Sequence, residues 1–287
     1  MSKLKILLQL DPDDQPSVFD AVTALDAGVD HLLRHARVHV EEVRDLVHGA
    51  MFTRGPDDLR QTAIFLGGSD VQAGEALLKQ VKKAFFGPLR VSVMIDSNGA
   101  NTTAAAAVLA AEKHVTLQDA EAVVLGATGP VGQRVVRLLA GQGAKVRVAS
   151  RSKDRAAALC QRISEQLSDA RLTTLVSDSP KHLADHLSGV QVLIAAGAAG
   201  VQLVSQKVRA SCSDLQVAVD LNAVPPLGLE GVEVTDSGAT RDGTICYGAI
   251  GVGGTKMKIH KAAIQQLFQG NDQILDAEEI FQLGRTL

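Results

Sequence analysis

The sequence predicts an α/β fold in two domains, the second of them a doubly wound parallel sheet. Three observations carry this. Short apolar runs alternate with stretches of helical periodicity along all 287 residues, the pattern of buried strands covered by helices. A glycine-rich turn from Gly126 to Gly132 stands between a clear strand and a clear helix. Polar residues follow several apolar runs at once, and open α/β sheets bind ligands just past the carboxyl ends of their strands.

Composition narrows the function classes. Hydrophobic residues make up 46% of the chain, enough for a packed core and for two modest domains. The formal charge is −3 with no basic run, and the aromatic residues are seven Phe and one Tyr with no Trp. Both features argue against a nucleic-acid partner, which needs a cationic footprint or stacking platforms. Cys160, Cys212 and Cys246 form no C-x-x-C pair, so neither disulfides nor zinc are expected, and the chain suits a reducing cytoplasm. With no signal-peptide pattern and no 18-residue apolar run, no membrane association is expected.

The first domain reads in order. Lys3 to Leu10 is a strand, broken by Asp11-Pro12-Asp13-Asp14-Gln15-Pro16. Ser17 and Asp20 have capping-box spacing before a helix that Gly28 ends. A small unit at Val29 to Leu33 and a helix from Glu41 to Val47, ended by Gly49, come next. His31, His35, His39 and His48 lack metal-ligand spacing, and no metal is expected. Thr62 to Leu66 is a strand, Gly67-Gly68 a turn, and Ser69 or Asp70 caps a helix running to Phe85. Leu89 to Ile95 delivers Asp96, Ser97 and Asn98 at its carboxyl end, before an alanine-rich helix, Ala100 to His114, that carries Thr102. These residues are candidate ligand contacts as well as ordinary turn and cap residues. The first domain is expected over 1–112 and the second over 113–270, with 271–287 packing back on the first.

The second domain opens with half a nucleotide-binding unit. Ala122 to Leu125 is a buried strand that Gly126 ends, Val131 to Ala140 a helix, and Val146 to Ala149 the next strand. Gly129 lets the backbone approach a pyrophosphate and Gly132 lets the helix pack closely, with free N–H groups aimed at the anion. Ala127 occupies the first position of the usual G-x-G-x-x-G. After the second strand an NAD enzyme places an acid for the ribose hydroxyl. This chain places Ser150, Arg151, Ser152 and Lys153. A guanidinium and two hydroxyls hold a 2′-phosphate, so NADP is the expected cofactor, with NAD as the alternative.

Asp154 to Gln166 and Pro180 to Leu187 read as helices around a strand at Leu172 to Leu175. Val192 to Ala195 runs into Ala196-Gly197, a small-residue edge that accepts a flat ring. Leu215 to Val219 is a strand leading to Asn222 and a stiff double proline, and Val232 to Thr235 is one more short strand. A second glycine cluster, Gly248 to Gly254 and including Gly253, precedes Thr255-Lys256-Met257-Lys258-Ile259-His260. If Thr255 opens the helix, Lys256 and His260 share a face and Lys256 can bind an anion or a polar substrate group. Ala277 to Leu283 is a terminal helix.

Several stretches, QLDPDDQPSVFDAV, DSNGANTTAA, VVLGATGPVG, DLNAVPPLG and GAIGVGGTKMKIH among them, resemble the bacterial NADP-dependent methylenetetrahydromethanopterin dehydrogenases of one-carbon metabolism. The resemblance spans essentially the whole chain. It implies a substrate domain beside a Rossmann-type domain with the active site in the cleft, and a homotrimer. It implies Lys256 as the leading catalytic residue and places Asp20, Ser97 and Asn98 on the pterin side. Thr128, Gly129, Pro130, Val131, Arg151, Gly197 and Asn222 fall on the cofactor side.

Hydride loss from a methylene carbon between two pterin nitrogens leaves a delocalised cation, and no proton need move. The enzyme must align the reactants and stabilise that charge, a task for Asp20 or Asp96. The residues leave open the same reaction on methylenetetrahydrofolate, a shikimate-type dehydrogenase, and a non-catalytic NADP-binding sensor.

Overall fold

The computed structural model describes residues 3–177, 183 and 186–287. The chain divides into two compact units, Met1–Thr102 with Met257–Leu287, and Thr103–Lys256. Among the described residues no helix is long and apolar enough to cross a membrane.

The first unit holds a parallel sheet of five strands. Its strands are β1 (Ile6–Leu10), β2 (His31–His35), β3 (Thr62–Leu66), β4 (Ser92–Ile95) and β12 (Ile274–Leu275), in the order β2-β1-β3-β4-β12. The chain therefore reverses direction across the sheet between β1 and β3, the point where such sheets open a crevice. Strand alternation decides the two faces. Leu8, paired with Leu33 and Ile64, faces α2 (Val43–Phe52) and α3 (Val71–Ala84) in one core with Val47, Met51, Leu77 and Val81. Ser17 caps α1 (Val18–Asp26) by accepting the Asp20 N–H, as its spacing predicts, and Asp70 caps α3. Gly49 does not end α2, which runs on to Phe52.

The second unit is a seven-stranded sheet built from β5 (Glu121–Leu125), β6 (Lys145–Ser150), β7 (Arg171–Val176), β8 (Val192–Ala195), β9 (Val217–Asp220), β10 (Ser237–Arg241) and β11 (Thr244–Tyr247). The order β7-β6-β5-β8-β9-β11, with β10 added antiparallel at the edge, is the doubly wound 3-2-1-4-5-6 arrangement with its reversal between β5 and β8. Helices α5 (Pro130–Gly141) and α6 (Lys153–Gln166) follow β5 and β6. The helix read at Pro180 to Leu187 lies largely outside the described residues.

Three further expectations change. Val232 to Thr235 is a turn, and the strands lie later, in the β10–β11 hairpin. The helix expected to open at Thr255 begins at Ala249 and runs to Gln266 (α8, after the short α7 at Gln206–Ala210). The cause is local: Ile250 donates its N–H to the Val234 carbonyl at 2.8 Å, and Gly248 donates to Asp236 O at 2.9 Å, so the turn at 232–236 supplies the acceptors that a helix start needs. A Cβ on Gly248 or Gly251 would overlap the carbonyls of Glu233 or Asp236, so these glycines serve close packing. Lastly, the units divide at residues 102 and 257 rather than at 112 and 270. The start of α4 (Ala100–Glu112) and the later part of α8 are tied to the first sheet, Asn101 donating to Ile95 O at 2.8 Å and the His260 ring stacking on Phe65.

Candidate functional site

The reversal point of each sheet carries a cluster of polar groups. In the second unit a cavity of about 420 Å³ opens there, lined by Gly126, Thr128, Gly129, Ser150, Arg151 and Arg155 on one side and by Ala196, Gly197 and Gln202 on the other. Gly126 has φ +66°, and a Cβ on it would stand 2.7 Å from Ala196 O. On Gly132 a Cβ would overlap the Gly126 carbonyl. These glycines bring the turn against β8 and α5 against the turn. Gly129 is the N-cap of α5 and brings no side chain to its first turn. Pro130 has no N–H, so the donors left for an anion are those of Val131 and Gly132.

Past β6 the chain offers hydroxyls and cations. Thr128 Oγ1 and Ser150 Oγ are 3.4 Å apart, and Ser177, at the end of β7, donates its N–H to Ser150 O. Arg151 and Arg155 are exposed and line the cavity, and among its described lining residues there is no acid. Ser152 takes another role: its Oγ accepts the Arg155 N–H and caps α6. Asn222 is also engaged, donating to Pro226 O at 3.1 Å and accepting from the Val224 N–H, which orders the loop after β9. Burial pushes the Asp220 carboxyl up, against backbone N–H groups of Leu229, Asn222 and Gly228 that favour its ionised form.

In the first unit the crevice between β1 and β3 gathers carboxylates around Gly67. A Cβ there would lie 3.2 Å from Asp11 Oδ2 and 3.5 Å from Asp20 Oδ2. Asp11 is fully buried and accepts N–H groups of Asp13 and Ser17 at 2.9 and 3.2 Å, holding the loop that aims α1. Burial raises its carboxyl above the ordinary value. Asp20, in the first turn of α1, stays half-buried. Ser97 donates to Gly67 O at 2.7 Å, and Asn98, exposed in the left-handed region at φ 55°, donates its N–H to Gly68 O at 2.6 Å.

Asp96 and Thr102 turn inward. Asp96 is 1% exposed and accepts the N–H groups of Asn101 and Thr102, with the Thr102 hydroxyl at 2.6 Å. His260 Nδ1 lies 3.7 Å from Asp96 Oδ2, and its fully buried ring packs 5.6 Å from Phe65 and 6.2 Å from Phe19. Lys256 is half-buried and shares a face of α8 with His260, four residues on. It sits in the third turn of that helix, away from the N-terminus where an anion site was expected. A Cβ on Gly253 would meet nothing within 4 Å.

The chain compares as follows. A family model described as methylene-tetrahydromethanopterin dehydrogenase, N-terminal, matches residues 18–98, and one described as shikimate / quinate 5-dehydrogenase matches residues 108–228. A bifunctional protein MdtA from Methylorubrum extorquens is 41% identical, the match covering 100% of both chains. The chain belongs to the methylenetetrahydromethanopterin dehydrogenase family. A second relative in this family, an NAD(P)-dependent methylenetetrahydromethanopterin dehydrogenase of the same organism, is 27% identical over 97% of each chain. Quinate dehydrogenase from Corynebacterium glutamicum in complex with NAD shares the fold, at a TM-score of 0.56 with 16% identity over 99% of this chain and 100% of that one.

In this family member the structure brings Asp20 and the Ser97–Asn98 turn together at one sheet reversal, and Gly126, Thr128, Gly129, Ser150, Arg151, Ala196 and Gly197 at the other. The sequence reading missed Asp11, Phe19 and Phe65 around the first, and Arg155, Ser177 and Gln202 at the second. Only Arg155 had a usable signal, one helical turn beyond Arg151.

Proposed function

We propose that this protein oxidises methylenetetrahydromethanopterin with NADP+, giving methenyltetrahydromethanopterin and NADPH. The observation that carries the reading is the cavity at the β5/β8 reversal, with Arg151 and Arg155 at its β6 side and no acid among its described lining residues, in a chain whose residues 18–98 match the pterin dehydrogenase model. The residues fit the cofactor: a cradle of glycines that a Cβ would fill, free N–H groups at the start of α5 for the pyrophosphate, and two guanidinium groups for a 2′-phosphate. NADP+, when bound, supplies the hydride acceptor.

The chain's own residues do the rest. Arg151 and Arg155, with Ser150, bind the phosphate that distinguishes NADP from NAD. Ala196 and Gly197 leave room for a flat ring. Asp20 offers a carboxylate to a substrate that becomes cationic as hydride leaves, and a fixed negative charge lowers the barrier to that step. Asp11 positions Asp20 by holding the loop before α1. Asp96 and Thr102 act as anchors for the start of α4, and His260 braces Phe65 and Phe19. Lys256 holds a polar group of the substrate, since a cation beside the reacting carbon would oppose the reaction.

We further place the protein in the cytoplasm as a homotrimer, the assembly implied by the family resemblance. Val18, Val22 and Leu25, which form an exposed apolar stripe on α1, support self-association. Sedimentation of the purified protein checks the assembly. Absorbance at 340 nm tests the activity, with methylenetetrahydromethanopterin and methylenetetrahydrofolate each offered with NADP+ and NAD+. Fast NADPH formation with the methanopterin is expected. Tight NADP+ binding without turnover of either pterin would support the sensor instead.

A further inference from the structure

A cavity of about 450 Å³ opens elsewhere on the first unit, on the sheet face at Ile6, Leu8 and Leu33 and against Leu46, Gly49 and Ala50 of α2. Its size is that of a small-molecule site. One end is polar. Thr62 opens β3 opposite Ile6, is 3% exposed, and its Oγ1 is buried without a hydrogen-bond partner. A hydroxyl in that state costs free energy until something pairs with it. Arg54 lines the same cavity and donates from Nη1 to the Gln61 carbonyl at 2.7 Å, which holds its guanidinium beside the start of β3. Among the described lining residues Asp45 is the only acid, and it lies in the first turn of α2, whereas Arg54 follows the last. About 10 Å of helix, from Asp45 to Phe52, lies between them.

We propose that this cavity is a second ligand site, distinct from the hydride-transfer residues, for a small monocarboxylic acid with an apolar body. The carboxylate accepts from the Thr62 hydroxyl and from Arg54. The body lies on Leu8, Leu33 and Leu46. Attraction by Arg54 and repulsion by Asp45 set the direction in which the molecule lies. His35, at the carboxyl end of β2, also lines the cavity and adds a polar group to its wall.

The probe is 4-phenylbutyrate, with 4-phenylbutanol as its neutral twin, titrated into the full-length protein by calorimetry and ligand-observed NMR. The carboxylate should bind about tenfold more tightly than the alcohol. Thr62→Val and Arg54→Gln should each weaken it about fivefold to tenfold. Gly49→Leu fills space where a Cβ meets nothing within 4 Å, so it should abolish binding while leaving hydride transfer unchanged. Four results would overturn the proposal: no binding at about 10 mM probe, equal affinity for the alcohol, binding that survives Gly49→Leu, or binding indifferent to Arg54→Gln. A change of oligomeric state in Gly49→Leu would also overturn it, by showing that a second copy covers the cavity. Should Gly49→Leu fail to fold, Arg54→Gln and the alcohol decide alone.

Discussion

The two sheets reverse direction in the same way and dress the reversal with opposite charge. Around Gly67 the first presents Asp11 and Asp20. The second presents Arg151, Arg155 and hydroxyls, with no acid among the described cavity residues. In the function proposed above, one architecture supplies two anchoring sites, and side-chain charge decides which ligand each accepts. A cationic rim suits a phosphorylated dinucleotide, and a carboxylate suits a heterocycle that becomes positive during reaction.

The contrast can be broken from either side. Gly132→Val should have the largest effect. A side chain there runs into Gly126 and Ala127 backbone, which should cost about 3 kcal/mol or more. A fall in Tm together with loss of NADP-induced stabilisation would register it. Asp20→Asn should lower kcat by about 10² with the KM for NADP unchanged, and an unaltered kcat would remove Asp20 from charge stabilisation. Arg151→Ala and Arg155→Ala should each raise the KM for NADP about tenfold and leave that for NAD nearly unchanged. Equal losses with both cofactors would contradict the phosphate assignment.

Arg241→Gln should have the smallest effect and serves as a stability control remote from the chemistry. Arg241 binds Asp236 through two hydrogen bonds of 2.5 and 2.7 Å, and this holds the Asp236 carboxyl below its ordinary value. A depressed folded pKa contributes stability above the unfolded pKa, and that stability is lost as pH falls through the folded one. Wild type should therefore exceed the variant by about 1 kcal/mol at pH 7, with the gap closing below about pH 4. Urea unfolding at both pH values measures it, and an unchanged gap in acid would show that the pair does not act through Asp236 ionisation.

What could be read in the chain differs between the two reversals. Around the second sheet, glycine positions and the residues after β6 are local signals, and the close packing expected at Gly132 is present. The Asp242-Gly243 turn, with φ 49° and 81°, was also a legible hairpin signal for β10 and β11, because a two-residue turn with both φ positive favours those residue types.

By itself, then, the sequence determined the alternation of strand and helix, the capping of α1 and α3, the close packing at Gly132, and the charge after β6. Each depends on residues a few positions apart. Tertiary structure decided what depends on distant partners. It set the start of α8 through the carbonyls at 232–236, put Gly126 against Ala196, set Asp96 beside His260, and brought Asp11, Asp20 and Gly67 together from the end of β1, from α1 and from the turn after β3. The physical reason is that an N–H or a carboxylate takes whichever partner burial leaves within reach, and that partner stands far away in the chain.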